Sequence, residues 1–289
     1  MKQFLAILVL VCSSCCGAWG RPQNAAAPAS SQTSQQAAKG APALSPDQEN
    51  ARQAKTVIDE GIKALGGETY LSIRDREQQG RGYSFHHGRP NGEGALFWSF
   101  TEFPDKERVE ITKERDIAEL YMGNKAWEIT YKGPRPIEPK DLDDYLRRRH
   151  FSLDTVLRTW VNDPGVVLLY IGMAVAAQHP ATQITLINAQ NESVDLYFDN
   201  DTHLPVKKSF SWRDPVDKQK NLEEEIYENY RQVSGVMAPY NLTRYFNGDM
   251  ASQCFLNSVT INQGIDEAMF NPKSGYNPNK ASGKPTGKR

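Results

Sequence analysis

The sequence predicts a mainly β (α+β) fold: about ten antiparallel strands, one N-terminal helix and one helical insertion. Two observations carry this. From Leu71 to Tyr131, and again from Thr182 to Ile261, large apolar side chains recur at every second position between turn residues. The strand-like runs also follow one another directly, without alternating helices, so no parallel sheet is indicated.

The chain has 289 residues, a net charge of -1 and 10% aromatic residues. That is enough for one sizeable core, and the balanced charge excludes nucleic acid as an expected partner. Residues 1–20 read as an export signal. Lys2 opens it, Phe4 to Val11 is a short apolar run, and Ala18-Trp19-Gly20 is a small-x-small cleavage site. Cleavage is expected before Arg21. The alternative is lipid anchoring through Cys15, although Cys12 stands where such signals place an aliphatic residue. Beyond the signal only Cys254 remains, so no internal disulfide can form. An exported chain without a disulfide fits the bacterial periplasm better than an animal secreted domain. Sequons at Asn191, Asn200 and Asn241 matter only in a eukaryotic secretory pathway. Residues 21–44, rich in Ala, Gln, Ser and Pro, read as a disordered linker. A single domain is expected over 45–272, and 273–289 reads as a disordered basic tail.

Within the domain, Ser45-Pro46-Asp47-Gln48 offers a capping box with proline at the first helical position. Ala54, Val57, Ile58, Ile62 and Leu65 then recur at helical spacing, and Gly66-Gly67 stops the helix. Strands are expected over Gln78 to His86, around Trp98 and Phe100, around Val109 and Ile111, over Ile117 to Met122 and over Ala126 to Tyr131. Gly80-Arg81-Gly82 reads as a β-bulge. Pro134 to Pro139 breaks the meander. Lys140 to His150 reads as a helix with its acids early and Arg147, Arg148 and Arg149 late, as the helix dipole favours. That basic run could meet a phosphate or lipid headgroup, but a solvated helix end is the expectation. Ser152 caps a second helix carrying Leu153, Val156, Leu157 and Trp160. Val166 to Ile171 is either a buried strand or a continuation of that helix.

Val194 to Trp212 then reads as a hairpin around the turn Asp199-Asn200-Asp201-Thr202-His203. Lys208 breaks the inward apolar pattern of its second arm. Strands follow over Glu223 to Val233, Tyr240 to Phe246 and Cys254 to Ile261. Glu223-Glu224-Glu225 is expected on an exposed edge.

The histidines are scattered, and no His/Cys/Asp spacing matches a metal site. No nucleophile elbow, P-loop or dinucleotide glycine pattern is present. No cofactor, no metal and no enzymatic activity are therefore expected, and Cys254 reads as a buried inert thiol. The positive signal is apolar. Trp98, Phe100, Trp127, Ile129, Leu196, Phe198, Phe210 and Trp212 are candidates to line a ligand cavity, or to fill a solid core.

Three runs, VDLYFDNDTHLPV (194–206), EIYENYRQVSGVMAP (225–239) and SVTINQGIDEAMFNP (258–272), resemble the LolA/LolB-like lipoprotein-carrier superfamily. They are similar in particular to its exported outer membrane lipoprotein-sorting relatives of diderm bacteria. Ala64-Leu65-Gly66-Gly67 followed by Leu71 matches their opening helix. The resemblance implies a strongly curved antiparallel sheet, an incomplete barrel whose open side is covered by helices. It also implies a cavity for acyl chains. The family's arginine latch on the helical lid is not placed in this sequence. The expected function is a monomeric, non-enzymatic envelope carrier of the acyl chains of a lipid or lipoprotein, with an envelope membrane protein as a further partner. The alternative is a structural or sensor module that uses the same fold with a filled core.

Overall fold

The computed structural model describes residues 44–273. The expected signal with Cys15, the expected linker up to Ala43 and the expected tail from 274 onward lie outside the described residues.

The first helix, α1 (Pro46–Leu65), starts on the expected capping box. Ser45 Oγ accepts the Gln48 N–H at 3.3 Å and Gln48 Oε1 accepts the Ser45 N–H at 2.9 Å. Gly66, at φ 128°, ends it where a side chain would meet the Gly235 carbonyl. A short helix, α2 (Glu68–Leu71), leads into the sheet.

The strands are β1 (Asp75–His86), β2 (Arg89–Pro90), β3 (Ala95–Glu102), β4 (Lys106–Ile111), β5 (Ile117–Met122), β6 (Lys125–Thr130) and β7 (Gly133–Pro136). Helices α3 (Pro139–His150) and α4 (Leu153–Arg158) follow, with a 3₁₀ turn at Trp160–Asn162. The second series is β8 (Val167–Ala176), β9 (His179–Ile187), β10 (Ser193–Asp199), β11 (Pro205–Arg213), β12 (Lys220–Val233), β13 (Val236–Phe246) and β14 (Asp249–Ile261). All pairings are antiparallel.

These elements make one unclosed, curved sheet in the order β7-β6-β5-β4-β3-β1-β14-β13-β12-β11-β10-β9-β8, with β2 added beside β1. The chain runs from the centre to one edge, crosses through α3 and α4 to the other edge, and winds back. A connection between opposite edges has to cross a face, so the helical insertion covers that face.

The sheet is 14-stranded, more than the ten expected. One added strand lies at the expected break from Pro134 to Pro139. Gly133–Pro136 pairs with β6 as an edge strand, the place where a missing proline N–H costs no ladder bond. Val166 to Ile171 belongs to a strand, and it is the other edge, with Val167 and Ile171 exposed instead of buried. The Asn50 side chain of α1 covers part of that edge. It bonds the N–H and C=O of Tyr170, both at 2.8 Å. The bulge at Gly80 is present, and a Cβ there would lie 2.3 Å from the Phe255 carbonyl oxygen. Among the described residues no helix is long and apolar enough to cross a membrane.

Candidate functional site

Pairing register assigns the two faces of the sheet. On the face under the helices lie Ile184, Leu186, Val194, Leu196, Phe198, Lys208, Phe210 and Trp212, followed by Glu223, Glu225, Tyr227 and Arg244 across β12 and β13. Further on it includes Ser99, Glu107 and Tyr121. The Tyr145 hydroxyl of α3 donates to Glu107 at 2.9 Å, and its ring stacks on Tyr121 at 3.6 Å. Ser99 also donates to Glu107, at 2.9 Å.

The eight cavity candidates do not share one face. Leu196, Phe198, Phe210 and Trp212 lie under the helices. Phe198 abuts Gly61 of α1, where an added Cβ would come within 2.2 Å of its ring. Phe210 stacks on Phe151 with centroids 4.2 Å apart. Trp212 lies beneath Arg147, whose guanidinium carbon is 3.4 Å from the ring centroid. Trp98, Phe100, Trp127 and Ile129 point to the opposite face, because Trp98 is in register with Glu110, Phe100 with Arg108, and Trp127 with Leu120. Ile129 packs there with Ala118, Leu120 and Phe270, and Trp127 leans on the same cluster. Arg115 lies over Trp98 and Phe100 at 5.0 and 5.6 Å. Glu110, fully buried, pairs with Arg108 at 2.7 Å and with Arg115. One cavity therefore cannot be lined by all eight.

The helix-covered face has two chemical halves. Toward β8 to β10 it is apolar, with Ile58 of α1 and Val156, Leu157 and Trp160 of the insertion closing onto Leu186, Val194 and Leu196. Toward β11 to β13 it is charged. Lys208, which breaks the apolar alternation, is fully buried and lies 2.9 Å from Glu225. Tyr227 donates to Glu225 at 2.6 Å. Burial alone would raise the Glu225 carboxyl, but Lys208 and these bonds hold it below its ordinary value. Neither Glu223 nor Glu225 lies on an exposed edge, because β12 is an interior strand.

The insertion is held to this face mainly by polar contacts. No residue of α3 is fully buried. Arg147 donates to Glu223 at 3.3 Å, and Trp212 Nε1 donates to the same carboxylate oxygen at 3.0 Å. Arg149 reaches the Asp105 carbonyl at 3.2 Å. The basic run is therefore packed on the sheet, not a solvated helix end. In α4, Asp154 pairs with Arg76 of β1 at 2.9 Å, and Arg158 donates to the carbonyls of Leu71 and Ile73 at 3.2 and 2.5 Å. Between α1, α4 and the sheet lies a cavity of about 180 Å³, walled by Leu65, Tyr70, Arg76, Tyr227, Tyr230 and Leu242 among others. It is smaller than the roughly 300–1,000 Å³ of ordinary small-molecule sites.

Sequence reasoning missed the charged half. Its signals were the out-of-pattern Lys208 and the placement of Arg147 and Arg148 on a helix that had to cross the sheet. Cys254 is half-buried, and burial raises its thiol pKa.

No family model matches the chain, and no curated protein matches it. Solved structures do. A DUF1329 family protein from Desulfovibrio piger superposes with a TM-score of 0.52 at 9% identity, over 77% of this chain and 99% of that one. An outer membrane lipoprotein-sorting protein domain from Vibrio parahaemolyticus gives 0.50 at 10% identity, over 75% and 97%. A LolA superfamily protein from Nitrosomonas europaea gives 0.48 at 13%, over 75% and 97%. The fold of this chain is the one it shares with the DUF1329 protein and the lipoprotein-sorting domain, here an unclosed antiparallel sheet with helices laid across one face.

Proposed function

We propose that the chain is a non-enzymatic carrier of the bacterial periplasm that takes the acyl chains of a lipid or lipoprotein onto the helix-covered face of its sheet. The observation that carries this reading is the lid. An apolar floor is covered by a helical crossover, and the first helix of that crossover is held by polar contacts without burying a residue fully. Lifting α3 and α4 withdraws Phe151, Val156 and Leu157 from the floor and uncovers Phe210, Leu186 and Val194. Each acyl methylene that takes their place contributes about 0.8 kcal/mol, so a long chain replaces the lost contacts without a polar catalyst. The fold shared with the Vibrio lipoprotein-sorting domain supports the same reading. The test is native mass spectrometry of the purified protein together with titration of a fluorescent fatty acid. Co-purified lipid or saturable uptake is expected. A lipid-free protein that takes up no fatty acid overturns the proposal.

One observation favours a second reading, a structural or sensor module with a filled core. The floor is packed in this state, Phe198 against α1 and Phe210 against Phe151, and the cavity between α1, α4 and the sheet is small. On that reading the lid never opens. A disulfide tying α3 to the sheet would then leave every activity of the protein intact, whereas it would abolish uptake by a carrier.

A further inference from the structure

We infer that the cavity between α1, α4 and the sheet holds the uncharged carbonyl, ester or amide, at the head of an acyl ligand, with the Tyr70 hydroxyl and Arg76 Nε donating to its oxygen. The inference rests on the carrier reading and names its substrate class: neutral acyl derivatives rather than free fatty acids. Tyr70 and Arg76 both border the cavity. Each carries one polar atom, the hydroxyl oxygen of Tyr70 and Nε of Arg76, that is sealed from solvent and makes no hydrogen bond. Both groups are donors. A guanidinium can only donate. Burial, and after it the charge of Asp154, raises the Tyr70 pKa, so its hydroxyl keeps its proton. Buried donors without an acceptor are uncommon and costly, so two of them beside one cavity call for an acceptor there.

The charges of the wall select the kind of acceptor. Arg76 Nη2 donates to Asp154 at 2.9 Å, and Glu225 is paired with Lys208 at 2.9 Å. The Tyr227 hydroxyl also donates to Glu225, and that of Tyr230 to the Pro205 carbonyl, both at 2.6 Å. A cation entering the cavity would meet carboxylates that already have their partners. An anion would lie beside Asp154 and Glu225 and be repelled by both. An uncharged carbonyl oxygen accepts the two donors and adds no charge to a buried place. Size points the same way. About 180 Å³ is room for roughly six waters or for one linkage group, not for a whole lipid.

The acyl chain has somewhere to go. Leu65, Leu153, Val236 and Ile261 of the cavity wall belong to the same apolar core as Leu186, Val194 and Phe210 of the floor. Ser152, Leu153 and Asp154 close the cavity, while their neighbours Phe151, Val156 and Leu157 cover the floor. A carbonyl seated between Tyr70 and Arg76 therefore sends its chain beneath the lid, and the lid that admits the chain also admits the head.

The experiment uses diphenylhexatriene, an apolar fluorescent dye with no carbonyl, and its displacement by methyl laurate, N-methyl lauramide and laurate. Wild type, Tyr70→Phe and Arg76→Lys are compared, with thermal unfolding of each; the lysine keeps a cation beside Asp154. At least one neutral ligand is expected to bind more tightly than laurate, and the tighter of the two tells ester from amide. Each substitution is expected to weaken that ligand by roughly three- to tenfold while sparing the dye and laurate. Without ligand, Tyr70→Phe is expected to unfold at or above the wild-type temperature, since it removes a hydroxyl that makes no hydrogen bond. Neutral ligands that bind no better than laurate, or as well to Tyr70→Phe as to the wild type, overturn the carbonyl site and leave the acyl floor standing. A Tyr70→Phe variant that unfolds well below the wild type and keeps its affinities gives the hydroxyl a structural role through bound water and also overturns the site. Binding of neither the dye nor any acyl ligand by the wild type overturns the carrier reading, and the carbonyl site with it.

Discussion

Gly61 sets how closely α1 can approach the sheet. Its missing side chain leaves room for the Phe198 ring, and an alanine Cβ would sit 2.2 Å from one ring carbon and 2.6 Å from another. Gly61→Ala gains up to about 1 kcal/mol of helix propensity but costs roughly 1–3 kcal/mol in overpacking. The expected outcome is a net loss in urea unfolding, largely recovered by adding Phe198→Leu. Two substitutions that simply add would refute this contact, because touching residues couple. Lys208 and Glu225 make a different residue-scale statement. A carboxylate held low in the folded state adds stability that is complete above the ordinary value of 4.5 and lost as pH falls through its lower folded value. Wild-type stability should therefore decline below about pH 4.5. Lys208→Met takes the nearest cation from a Glu225 carboxylate that is largely covered. It should cost about 1–3 kcal/mol at pH 7 and weaken this group's trend with pH, since Tyr227 still donates to the carboxylate, read from denaturation midpoints at pH 4 and 7.

At the scale of elements, α3 and α1 are unlike helices. α1 buries Ala54, Ile58, Gly61 and Leu65, whereas α3 buries nothing fully and rests on Tyr145, Arg147 and Arg149. Few apolar contacts mean a low free energy of local opening. Amide hydrogens of 139–150 should exchange well ahead of those of 46–65. Tyr145→Phe combined with Arg147→Ala should speed exchange in α3 further, and it should also lower the global midpoint, because Arg147→Ala takes the paired cation from the buried Glu223. Equal protection of the two helices would argue that the lid is fixed. What could be read in the sequence divides along similar lines. The capping box at Ser45, the Asx turn in which Asp199 accepts from the Thr202 N–H at 2.7 Å, and the bulge at Gly80 were all legible, because each depends on neighbours in the chain. Alternation also showed which residues of one strand share a face. It could not show that Trp98 and Trp127 face away from Phe210, because that depends on register summed across many strands. The burial of Lys208 and the seating of Arg147 on Trp212 and Glu223 were hidden for the same reason. It follows from β12 being interior and from α3 crossing the sheet, both consequences of topology.

For the whole molecule, the ordering of strands matters more than their number. Strands β1 to β7 and β8 to β14 form two consecutive meanders, joined side by side through the β1–β14 ladder, from Arg76 opposite Ile261 to Ser84 opposite Ser252. α1 belongs by sequence to the first meander yet packs on β8 and β9 of the second. The crossover between them ends in an exposed loop at 162–165. This arrangement makes the chain a natural split protein. A protease site inserted in that loop and cleaved should leave the halves interlocked, one by its helix and the other by its last strand. The cleaved protein should run as a single particle on a sizing column and separate only in denaturant, and halves expressed apart should reassemble. Fragments that drift apart after cleavage would mean that the covalent crossover, not the ladder and the helix, keeps the two meanders together.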